Sequence, residues 1–75
     1  MVRTERFPAI IEREGDLYVA LCPELDVASQ GTSIEDARAN LVEALTLFFE
    51  VAEEAEVGRR LLGQTFVTQV EVPVG

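Results

Sequence analysis

The chain has 75 residues and a formal charge of −8, from 14 acidic residues against six basic ones, all six of them arginine. Direct nucleic-acid binding depends on cationic contacts to phosphate, so this balance argues against it. Cys22 is the one cysteine and histidine is absent, which excludes an intrachain disulfide and a four-ligand Cys/His zinc site.

A domain this small buries only about 60% of its unfolded surface. Such chains usually need a disulfide, a metal or a second copy to be stable. With the first two excluded, a homodimer or higher homo-oligomer is expected. Met1-Val2-Arg3-Thr4-Glu5-Arg6 holds no apolar signal-peptide core, and no apolar run approaches the ~20 residues of a bilayer span. A soluble, cytoplasmic protein is expected, and a single cysteine suits a reducing compartment.

In chain order, residues 3–13 read as a first strand, with Phe7, Ala9 and Ile11 alternating against Arg6, Ile10 and Glu12. Pro8 has no amide donor, so this strand should be unpaired on one side there or carry a bulge. Gly15-Asp16 is a hairpin turn, since two-residue turns need positive φ. Residues 17–22, Leu-Tyr-Val-Ala-Leu-Cys, form a second strand apolar on both faces, so both are expected to be covered. Pro23 to Asp26 breaks it, and a short third strand spans residues 27–30.

Thr32-Ser33-Ile34-Glu35-Asp36 carries two overlapping capping patterns, Thr32 with Glu35 and Ser33 with Asp36. One long helix of roughly six turns is expected from residue 34 to about 55, with Gly58 as its stop. At 100° per residue, Ile34, Ala37, Leu41, Ala44, Leu45, Phe48 and Ala52 share one face. Asp36, Asn40, Glu43, Glu50 and Glu54 lie opposite. Val42 and Phe49 flank the apolar face on one edge and Val51 on the other, a wider arc than one covering sheet needs. Leu47 sits within the acidic face with no intramolecular reason. Residues 64–72 read as a last strand, with Phe66, Thr68, Val70 and Val72 on one side, ended by Pro73.

The order β-β-β-α-β within one domain, residues 1–75, implies an α+β fold: a two-layer sandwich of a mixed sheet and a long helix. Catalytic chemistry is poorly supplied. Without histidine or lysine there is no imidazole base and no Schiff-base amine, and Cys22 has no neighbour that would activate it. Glu5, Glu12, Glu14 and Glu71 lie near strand ends or on polar faces and do not suggest a converging metal-dependent nuclease site. No catalytic residue, no metal ligand and no cofactor site is assigned. Two features remain. The acidic helix stripe, Asp36, Glu43, Glu50 and Glu54 with Leu47 inside it, reads as a docking surface for a basic partner or as a solvated face. The surplus apolar set Val42, Phe49 and Val51 reads as an oligomer contact or as ordinary core.

The run Asp16-Leu17-Tyr18-Val19-Ala20-Leu21-Cys22-Pro23-Glu24-Leu25 resembles the "gYvA-x-cPeL" stretch of the HicB-like antitoxin family. Val27-Ala28-Ser29-Gln30-Gly31-Thr32-Ser33-Ile34-Glu35-Asp36-Ala37 resembles its "s-x-G-x-T-x-eEA" stretch, and Leu41-Val42-Glu43-Ala44-Leu45 its "nl-x-eAl" helix. The resemblance covers about residues 6–50. It implies a truncated RNase H-like domain with a four-stranded sheet in the order 3-2-1-4. It also implies a partner, a small basic mRNA-cleaving toxin of the HicA type, which such antitoxins bind and block. Many family members carry a C-terminal DNA-binding domain; these residues contain none, so operator binding is not carried over.

The leading expectation is a non-enzymatic, antitoxin-like protein-binding module. The alternative is a solitary homo-oligomeric HicB-like domain with a regulatory or accessory role and no toxin.

Overall fold

The structure, a computed structural model, describes residues 4–61 and 66–75. It is α+β. Strands β1 (Ile10–Glu14), β2 (Leu17–Cys22) and β3 (Val27–Gly31) form an antiparallel sheet in the order β1-β2-β3, followed by helices α1 (Ile34–Val51) and α2 (Glu54–Leu61). The β1–β2 hairpin closes through Gly15 at φ 60°, as its turn pattern requires. The Arg13 Nε donates to the Gly15 carbonyl at 3.1 Å. In the second turn Asp26 adopts φ 54°, a left-handed conformation that aspartate tolerates better than most residues.

Register separates the two sheet faces. Ile11 lies opposite Ala20, and Ala20 opposite Ser29; these share a face with Tyr18, Cys22 and Val27. That face meets α1, which lies mainly over β3, less over β2 and least over β1. The buried core is Ala20, Cys22, Leu25, Ala37 and Leu41, with Phe7, Ile11, Tyr18, Val27, Leu45 and Phe48 packed around it. Small residues let helix and sheet approach closely. A Cβ on Gly31 would lie 2.4 Å from the Ala37 amide nitrogen, so Gly31 is where α1 crosses the end of β3.

Four sequence expectations are corrected. The first strand starts at Ile10, and residues 4–9 of its expected range form none, because Pro8 removes a ladder donor and restricts the residue before it; residue 3 lies outside the described residues. The second strand is covered on one face only: Leu17, Val19 and Leu21 share the other side with Ile10 and Ala28, where a shallow depression runs over Ile10, Glu12, Val19 and Leu21.

The one long helix is two. Continuing α1 past Val51 would set Glu54 one turn beyond Glu50, and Glu53, Glu54 and Glu56 at a negative helix end that has no basic residue in its last turn. The break at Ala52 (ψ 140°) reverses this. Glu54 and Glu56 now open α2, Arg59 and Arg60 close it, and Gly58 lies inside it rather than ending a helix. Each charge then complements the dipole.

Residues 66–75 form no strand, and residues 64 and 65 of the expected fourth strand lie outside the described residues. The described sheet therefore has three strands, not four. No helix among the described residues is long and apolar enough to cross a membrane.

Candidate partner-binding site

The start of α1 is built by reciprocal capping. The Ser33 Oγ accepts from the Asp36 amide at 3.0 Å, and the Asp36 carboxylate accepts from the Thr32 amide at 2.9 Å. Of the two capping patterns in the sequence, the Ser33–Asp36 pair is the one in use. Asp36, expected on the docking stripe, is thus engaged in holding the loop from β3 to α1. Asn40, expected on the same outer face, turns to β3 and donates its amide to the Gln30 carbonyl at 2.8 Å.

The remaining members of the stripe stay exposed. Glu43, Leu47 and Glu50 follow one another along α1, and Glu54 opens α2. Leu47 is 54% exposed. One turn further on, Val51 is 79% exposed and extends the same apolar strip, since residues four apart stack on a helix surface. The result is an exposed apolar pair, Leu47 and Val51, bordered on α1 by Glu43 and Glu50, with Glu54 exposed at the start of α2.

Val42 and Phe49, grouped with Val51 in the sequence reading, lie on the other edge of α1. The Phe49 ring stacks on Phe7 at 5.8 Å and meets Phe48 edge-on at 5.4 Å, which sets this edge on the β1 side of the sheet. Asn40 marks the opposite edge, on the β3 side. The three apolar residues therefore belong to two surfaces.

α2 is held by Arg60, a residue the sequence reading did not single out. Its guanidinium lies 4.8 Å from the Phe48 ring centroid, donates to the Leu25 carbonyl, and pairs with Glu56 at 3.2 Å. The contact to Leu25 spans 35 residues, and no local spacing announces it.

Among the described residues, no group of three or more His, Cys, Asp or Glu converges to hold a metal ion. Cys22 is fully buried. What α1 offers at its exposed edge is apolar contact area, Leu47 and Val51, with the acidic Glu43 and Glu50 beside it. The chain matches no family model, and it is similar to none of the curated proteins or solved structures with which it was compared.

Proposed function

We propose that this chain is an antitoxin-like protein-binding module of the HicB-like type, with no enzymatic activity of its own. Its cytoplasmic role would be to neutralise a small basic mRNA-cleaving toxin of the HicA type. The observation that carries the reading is the exposed Leu47–Val51 pair bordered on α1 by Glu43 and Glu50, on a chain of charge −8. A partially desolvated apolar centre with a charged rim is how interfaces concentrate their energy. The rim matches a toxin surface that must itself be cationic to hold RNA. Negative charge there would steer encounter and compete with phosphate for the same arginines and lysines.

The motif residues support the same reading. Ala20, Cys22 and Leu25, from the "gYvA-x-cPeL" stretch, are fully buried. Gly31, Asp36 and Ala37, from the second stretch, make the close crossing and the cap at the start of α1. The motifs thus fall on the positions that build a β-β-β-α core, as a truncated RNase H-like domain would require. The mixed four-stranded sheet of that fold needs one more strand than these described residues form.

Titration calorimetry against a HicA-type toxin tests the proposal. The expected result is a stoichiometric complex whose affinity falls as salt rises and falls at least tenfold in Leu47→Glu. No heat of binding at micromolar concentrations contradicts it.

The second reading, a solitary homo-oligomeric domain with a regulatory role, is favoured by surface area. The chain exposes 6442 Å², whereas a compact chain of its mass exposes about 4,600 Å².

A further inference from the structure

We infer that residues 66–72 of one chain add as a strand to the free edge of β1 in a second copy, beneath Val42 and Phe49 of that copy. The inference is independent of the toxin-binding reading. It starts from a segment that has strand chemistry and no strand. Phe66, Thr68, Val70 and Val72 alternate with Val67, Gln69 and Glu71, the period-two pattern of a half-buried strand. Yet Phe66 is 85% and Val70 81% exposed, so this apolar face does not cover its own sheet.

The sheet offers one suitable edge. β2 is central and paired on both sides, and among the described residues β1 and β3 each pair only with β2. The β3 edge is obstructed: the Gln30 carbonyl is already taken by the Asn40 side chain, and α1 crosses closely at Gly31. Among the described residues the β1 edge has no strand partner beyond β2, and α1 lies least over it. The Phe7–Phe49 stack places Phe49, with Val42 two turns before it, on this side. A strand added here would lie beside that stack and bring its apolar face towards the exposed Val42 and Phe49. Pro73, with no amide donor, would end the ladder.

The area agrees. The excess of exposed surface over a compact chain, about 1,800 Å², is larger than the ~800 Å² per partner that a stable interface buries. The Cα radius of gyration is 14.5 Å, against about 11 Å for a compact domain of this length. A second copy is the occupant that supplies both halves, because each chain presents one free edge and one free strand. Reciprocal exchange closes the pair with two-fold symmetry.

Light scattering on the full-length chain, with Val70→Glu and Val51→Glu, tests the inference. The wild type and Val51→Glu should be dimeric at micromolar concentration, with Val70→Glu dissociating at least 100-fold more readily. In parallel, isotope-filtered NMR on a mixture of labelled and unlabelled wild type should show contacts from Val70 and Val72 to Phe49 and β1 across copies. A monomer, cross-copy contacts confined to Val51 and Leu47, or a dimer that survives Val70→Glu and is lost in Val51→Glu would each overturn it. If Val70→Glu does not fold, the wild-type NMR contacts decide alone.

Discussion

The Arg60 guanidinium sits 4.8 Å from the centre of the Phe48 ring and joins α2 to α1 across the break at Ala52. The same group donates to the Leu25 carbonyl, at the turn that closes the core. A charged hydrogen bond of this kind contributes about 1.5–3 kcal/mol, and a stacked cation about 0.5–1 more. Arg60→Ala is therefore expected to lower stability by about 2–4 kcal/mol, with Arg60→Lys recovering less than half because it lacks the planar fork. Glu56→Gln should change stability by under about 0.5 kcal/mol, since the pair is half-exposed and within one helix. Urea unfolding at one fixed protein concentration measures all three.

Gly31→Ala tests the close crossing of α1 over β3. The added methyl would fall 2.4 Å from the Ala37 nitrogen and 2.7 Å from the Asp36 carbonyl carbon, both backbone atoms. Relief requires the helix to move, and overpacking of this kind costs about 1–3 kcal/mol. The variant should sit at the upper end of that range in urea unfolding, while Gly15→Ala, which meets no atom but carries φ 60°, loses about 1 kcal/mol.

The two caps at the start of α1 predict near-additive losses. Ser33→Ala should cost about 1 kcal/mol, and Asp36→Ala a similar amount through the freed Thr32 amide. The Ser33 hydroxyl bonds the Asp36 backbone amide, which Asp36→Ala keeps, and the Asp36 carboxylate bonds Thr32, so the double variant should lose close to the sum. A double-mutant cycle from thermal or urea unfolding reads the difference.

Cys22 is fully buried and flanked by β3 and α1. Its thiol should react with a disulfide reagent only when the chain opens, so the labelling rate should rise in step with urea-induced unfolding. The proposed dimer uses no disulfide, since this thiol is buried, and should persist in excess reductant.

How much of this was legible in the sequence depends on the range of the interaction. The hairpin turn, β2, β3 and the start of α1 are set by residues a few positions apart, and the sequence places them closely: Gly15 needs positive φ, the Ser33 hydroxyl caps the Asp36 amide, and the Asp36 carboxylate reaches back to the Thr32 amide. The end of α1 was misread because helix propensity favours the run from Ile34 to Ala55, while the break depends on charge at the helix end and on Arg60 reaching Leu25. The last strand was misread for the opposite reason. Its alternation is plain, but alternation reports a capacity to pair and does not name the neighbour. In the expected docking stripe, Asp36, Glu43, Leu47, Glu50 and Glu54 are all exposed. The Asp36 carboxylate is, however, engaged by the Thr32 amide, and Asn40, expected on the same outer face, turns to the Gln30 carbonyl, because short polar side chains serve nearby backbone groups. Val51 could have been joined to Leu47 from their four-residue spacing alone.

The most direct measurement of the proposed antitoxin role is RNA cleavage by a HicA-type toxin, titrated with wild-type chain and with Leu47→Glu. Leu47 is exposed, so its replacement should leave stability within about 0.5 kcal/mol. Cleavage should fall to background near equimolar wild type, and Leu47→Glu should need at least a tenfold excess to match it. Cleavage that continues unchanged at a stoichiometric excess of the folded wild-type protein would contradict the account.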